Sequence, residues 1–171
     1  MMSGLTMNSI ANQVAEFHNS AGIFFPTAPT LGSKDNQRLS IVLLREELRE
    51  YETALRKGDI VAAADALGDL QVVLVRAMWS HGLISRMPLI MREIHRSNMS
   101  KFCDTMWSAQ EAVDLYATER VYCDIYSGAN EKFAIINDDG KILKAKDWSE
   151  PDLKSILDGE APSNIKEPTR E

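Results

Sequence analysis

The sequence predicts an all-α protein: an antiparallel helical bundle that carries a small C-terminal β-hairpin and a tail. Three observations predict it. Apolar residues recur at helical spacing in successive segments, those segments are separated by glycine stops at Gly22, Gly58 and Gly82, and residues 62–75 are apolar around most of the helix circumference. A helix of the last kind is packed on several sides, as in a bundle.

The first element is an amphipathic helix over residues 7–21, with Ile10, Val14, Phe17 and Ala21 on one face and Gly22 as its end. Residues 25–33 form a loop by their prolines and glycine. Ser33 or Asp35 caps a long helix running to about Lys57. Lys57, Gly58 and Asp59 read as a glycine C-cap followed at once by an N-cap, so the next helix starts near Ile60 and ends at His81 and Gly82. A connection that short makes the two helices an antiparallel hairpin. A further helix follows Pro88 and covers residues 89–98. A looser one spans 104–121, with Trp107, Ala112, Leu115 and Val121 among polar residues. Residues 133–144 alternate about an Asp139-Gly140 turn and read as a β-hairpin. The tail from Trp148 holds Pro151, Pro162 and Pro168, with a short helix around 152–157 and no order expected beyond it. The whole chain, 1–171, reads as one domain, with a core of about 8–103 and an extension from 104.

Charge is distributed unevenly over the helical hairpin. On its first helix Leu44, Leu48, Tyr51 and Leu55 share an apolar stripe, Glu46, Glu47 and Glu50 fan along one flank, and Arg45, Arg49 and Arg56 lie on the far side. Glu46 and Glu50 are like charges one turn apart, which costs a few tenths of a kcal/mol that an alternating face would have gained. On the second helix Asp65, Asp69, Val72 and Arg76 form one line in otherwise apolar surroundings. Carboxylates in a buried helix are costly without a cation or donor, so the two aspartates are expected to be buried for a purpose. Each acidic group lies roughly two turns from the Gly58 connection, which sets Glu46, Glu47 and Glu50 alongside Asp65 and Asp69. Five acids so placed are enough to hold a divalent cation such as magnesium, which takes hard oxygen ligands from a few carboxylates, phosphates and waters.

Composition narrows the setting. At 44% apolar and 26% charged residues with a net charge of -6, the chain reads as a soluble protein without the basic patch that a nucleic acid or an anionic membrane requires. The amino terminus lacks the pattern of a secretory signal and no run reaches a membrane-spanning length, so a cytoplasmic location is expected. Cys103 and Cys123 have neither zinc-site spacing nor enough company for a disulfide framework.

Glu46-Glu47-x-x-Glu50, then Asp65 and Asp69, then the stretch from His95 through Asn98 to Lys101 resemble the all-α nucleoside triphosphate pyrophosphohydrolases, the MazG-like and phosphoribosyl-ATP pyrophosphohydrolase-like superfamily. The likeness spans residues 8–103 and is greatest to its dUTP-hydrolysing MazG-like branch. The second acidic motif of that family is Glu-x-x-Asp. Its final Asp corresponds to Asp69, three residues before it stands Ala66, and Asp65 takes the place of the usual Glu. The resemblance implies a Mg2+- or Mn2+-dependent hydrolase that converts a nucleoside triphosphate, dUTP or a related pyrimidine deoxynucleotide first, to the monophosphate and pyrophosphate. By the same analogy Glu46 is the catalytic base, Glu47, Glu50, Asp65 and Asp69 are metal ligands, Asn98 and Lys101 hold phosphates, and the active unit is a homodimer or dimer of dimers. Residues 104–132 have no counterpart role.

The residues also bear on two other classes. A di-metal oxidase bundle needs Glu-x-x-His pairs, and Glu16/His18 and Glu93/His95 are two residues apart instead. A non-catalytic helical interaction or regulatory module remains the alternative, in which the acids are a solvated face. Helix capping accounts for Asn98 and Lys101 as well as phosphate binding does. His18, His81 and His95 read as packing or surface residues.

Overall fold

The structure, a computed structural model, describes residues 7–128 and 131–159. They are mostly helical, with six α-helices and one two-stranded antiparallel sheet near the C-terminal end. None of these helices is long and apolar enough to cross a membrane. The chain forms two compact units, the first ending at Met87 and the second beginning at Pro88.

The first unit contains α1 (Met7–Ser20), α2 (Lys34–Lys57) and α3 (Ile60–Ser80), followed by a 3-10 turn at Ile84–Arg86. The local signals act where the sequence puts them. Ser33 caps α2 by accepting from the Asn36 amide, Gly58 ends it at φ 67, and Asp59 caps α3 by accepting from the amides of Val61 and Ala62. Two residues thus reverse the chain, and α3 returns along α2. α1 lies on α3 through buried Ala11, Val14 and Val75, and the Trp79 indole donates to the Ala11 carbonyl at 3.0 Å. The loop after α1 is fastened to the end of α3. Phe25 stacks on Trp79, the Thr30 amide donates to the His81 carbonyl, and His81 Nδ1 donates in turn to the Thr30 carbonyl at 3.0 Å. Gly82, at φ +63, passes so close to Ala28 that a Cβ would overlap the Ala28 carbonyl.

In the second unit α4 (Met87–Met99) begins one residue before the proline, because Pro88 in a first turn forfeits no helical hydrogen bond. α5 (Met106–Thr118) is closed at its start by a capping box between Thr105 and Ser108. It stops short of the 121 expected: Arg120 adopts φ 60, which breaks the helix, and Val121 lies outside it. α5 packs on the sheet around a core of Cys103, Ala109, Ala112, Ile135 and Ala145. A short α6 (Leu153–Asp158), capped by Asp152, follows where a helix was expected. The tail holding Pro162 and Pro168 lies outside the described residues.

The hairpin is a correction. Phe133–Asn137 is a strand, β2, but its antiparallel partner is β1 (Cys123–Ser127), in a continuous register from Cys123↔Asn137 to Ser127↔Phe133. The Asp139-Gly140 turn forms, and beyond it only the isolated bridge Ile136↔Ile142 is made. Five residue pairs with the upstream strand outweigh a single bridge with the downstream one.

Candidate functional site

α2 and α3 set the five predicted acids on one hairpin. Glu46, Glu50, Asp65 and Asp69 are exposed, and Glu47 is half-buried between them. Asp65 and Asp69 are therefore not buried as the apolar surroundings predicted. The reason is that α1 covers α3 only along the side of Val75, and Leu67, Val72 and Leu74 are left 50%, 39% and 47% exposed with the aspartates beside them.

The side chains still act on one another. Burial raises the Glu47 carboxyl above its ordinary pKa of 4.5, and the charges of Asp69, Glu50, Glu46 and Asp65 each raise it further. All four other acids thus reach Glu47 electrostatically, and among the described residues no cation lowers it in turn. Arg76, which the α3 line placed nearest the aspartates, is buried instead and donates to Ser40 Oγ at 3.4 Å, tying α3 to α2. Burial lowers its guanidinium below the ordinary value.

Beside the acids is an open cleft of about 320 Å3, lined by Glu50 and Asp65 together with Arg49, Lys57 and Asp59. Arg49 was expected on the far side of α2, yet it reaches this cleft, where its long side chain can swing across the helix. Lys57 was missed as a site residue. The signal was its place beside the Gly58 reversal, which turns the last residue of α2 toward the first turns of α3.

Magnesium or manganese fits this donor set in hardness and in charge, since carboxylates are what such ions take. Among the described residues no three Asp, Glu, His or Cys side chains are arranged to hold a metal ion. Coordination therefore requires side-chain rotation, which the exposure of Glu46, Glu50, Asp65 and Asp69 permits.

Asn98 and Lys101 belong to the second unit, at the end of α4, where Lys101 Nζ donates to Asn98 Oδ1 at 2.8 Å. They act as one polar pair. That unit also holds a cavity of about 310 Å3 lined by Cys103, Asp104, Ser108, Glu111, Lys132 and Lys146, to which no sequence motif pointed. Ion pairs Lys132 to Asp104 and Lys146 to Glu111 offset its charges. Burial raises the Cys103 thiol, so it is not an activated nucleophile.

Neither a known family model nor a curated protein matches the chain.

Proposed function

We infer that the chain is a metal-dependent nucleoside triphosphate pyrophosphohydrolase of the all-α, MazG-like bundle type. The observation that carries this reading is the state of Glu47, a half-buried carboxyl raised by burial and by four neighbouring acids on one helical hairpin. Such stored repulsion destabilises a protein that has no cation to place there. Magnesium held by Glu47, Glu50, Asp69 and Asp65 would neutralise it and bind the triphosphate. Glu46 then takes a proton from water as its oxygen attacks the α-phosphorus, and the bond to the bridging oxygen breaks to release pyrophosphate. Arg49 and Lys57 on the adjoining cleft supply positive charge for phosphate oxygens. A phosphate role for Asn98 and Lys101 rests on the sequence resemblance alone. The substrate favoured is dUTP or a related pyrimidine deoxynucleotide, in cytoplasmic nucleotide house-cleaning, on the strength of the sequence resemblance. The exposed Leu67, Val72 and Leu74 of α3 and Leu48 and Leu55 of α2 favour a homodimer or dimer of dimers that covers them.

The same apolar exposure favours one alternative, a non-catalytic helical interaction module. An interaction face has no use for five unpaired acids, which is why the enzyme reading stands first.

The deciding experiment incubates the full chain and Mg2+ with each deoxynucleoside triphosphate and measures pyrophosphate and orthophosphate separately. Pyrophosphate with a monophosphate is expected, and excess chelator abolishes it. Orthophosphate as the sole inorganic product, activity in chelator, or no turnover of any nucleotide would overturn the reading.

A further inference from the structure

β1 is an edge strand, and among the described residues none pairs with its outer side. On β2 the Phe133 backbone exchanges both hydrogen bonds with Cys103 at 2.9 Å, the Ile135 carbonyl accepts from the Leu143 amide at 2.8 Å, and the Asn137 amide donates to the Lys141 carbonyl at 3.1 Å. These three residues face away from β1. Because the bonding direction alternates along an antiparallel strand, Ala134 and Ile136 bond to Tyr126 and Asp124. The Gly128 amide, donating to the Lys132 carbonyl at 2.7 Å, continues the alternation. It follows that the N–H and C=O groups of Cys123, Ile125 and Ser127 point outward from the sheet. No described residue bonds to them.

Natural edges are blunted by charged side chains, by proline, by a bulge or by shortness. β1 carries one charge, Asp124, but it has no proline, and its register with β2 is unbroken over five residues. One side of the strand, with Cys123 and Ile125, packs in the α5 core. The other carries Asp124 and Tyr126, the latter 52% exposed, and Tyr122 just before the strand is 79% exposed. A regular edge with a single charge and exposed aromatics beside it is suited to pairing with another strand.

We propose that β1 pairs antiparallel with β1 of a second copy of this chain, about a two-fold axis at Ile125, so that two sheets become one. The register follows from elimination. An axis at Asp124 sets that carboxylate against its own copy and leaves Ser127 unbonded, and like charges directly opposed are destabilising. An axis at Tyr126 leaves Cys123 unbonded. Only the axis at Ile125 engages every outward amide and carbonyl, matching Cys123 with Ser127 and Ile125 with itself, as the isologous contact of a two-fold dimer requires. On the exposed face it sets Asp124 opposite Tyr126 of the second copy, twice, with no like charges in contact. This contact is separate from the helical faces of α2 and α3 and does not depend on the enzymatic reading.

The test is the mass of the full chain in solution, by light scattering at micromolar concentration, with circular dichroism to verify folding. Tyr126→Glu sets a carboxylate against Asp124 of the second copy at both pairs and is expected to halve the wild-type mass. Adding Asp124→Arg restores opposite charges at those pairs and should return the mass to the wild-type value. Ser127→Pro, which removes one outward donor and no bond to β2, gives a second disruption if Tyr126→Glu does not fold. A monomeric wild type, unchanged mass in Tyr126→Glu and Ser127→Pro, or no recovery in the double variant would overturn the proposal.

Discussion

Arg96 grips the fully buried carboxylate of Glu93 from one turn away: its Nε donates to both carboxylate oxygens, at 3.0 and 2.9 Å, and its Nη2 donates to Oε1 at 2.7 Å. The Asp152 amide donates to the same Oε1 at 2.8 Å, while Arg96 reaches Ser149 Oγ and the Glu150 carbonyl, and Ser97 Oγ donates to the Ser149 carbonyl. The pair therefore fastens α4 to the segment that starts α6.

The Arg96 hydrogen bonds, and after them the Asp152 amide, hold Glu93 below its ordinary pKa of 4.5 against the opposing effect of burial. A depressed carboxyl stabilises the folded state above the unfolded pKa and loses that contribution as pH falls through the folded one. Glu93→Ala should cost about 3 kcal/mol at neutral pH, because it leaves the guanidinium half-buried without its partner. As pH falls below 4.5 the gap between wild type and variant should narrow in urea titrations, and a gap independent of pH would refute the ionic role of Glu93.

Glu47 has the opposite sign. Its folded pKa is raised, so its contribution is present below 4.5 and is lost as pH rises through the folded value. Glu47→Gln should therefore raise the melting temperature of the metal-free protein at pH 7 by about 2 °C and change it little near pH 4. Magnesium should stabilise wild type more than Glu47→Gln or Asp69→Asn, since a ligand specific to the folded state stabilises it according to occupancy. Turnover of these variants should fall by about 100-fold or more. Equal magnesium shifts in all three proteins would mean that the acids are only a solvated face.

Lys101 and Asn98 are bonded to each other, so their substitutions should not add. Lys101→Ala and Asn98→Ala should each raise KM by about tenfold with kcat less affected, and the double variant should be little worse than Lys101→Ala. Magnesium affinity of the free protein should stay near that of wild type in calorimetric titration. An equal loss of magnesium affinity would remove both residues from the substrate role.

Gly82→Ala tests how the loop after α1 is held. The left-handed backbone costs a side chain about 1 kcal/mol, and the overlap with the Ala28 carbonyl adds to it by pushing the loop off the end of α3. A loss of about 2 kcal/mol or more in thermal melts is expected. Gly58→Ala, also left-handed but with open space around it, should cost less. Equal losses would show that backbone conformation alone decides.

The ends of the helices were legible in the sequence because their causes are local. Ser33, Gly58 and Asp59 terminate or start α2 and α3 through bonds to residues two to four positions away, and those bonds come with the residue type. The grouping of Glu46, Glu47, Glu50, Asp65 and Asp69 was legible for the same reason, since a two-residue reversal fixes which turns face each other. The rest depended on contacts between distant residues. The sequence signals a strand at 133–137 and a turn at Gly140, but whether β2 pairs forward or back to Cys123–Ser127 is decided by which partner gives more ladder bonds and which can pack under α5. The exposure of Asp65 and Asp69 likewise follows from how little of α3 is covered by α1, which an apolar helix sequence cannot state. Glu93 and Arg96 were in plain view as an ordinary helical pair. That Glu93 is completely buried was decided only when residues 149–152 folded across α4 and supplied the Asp152 amide, which replaces its water, and the Glu150 carbonyl, which helps to hold Arg96.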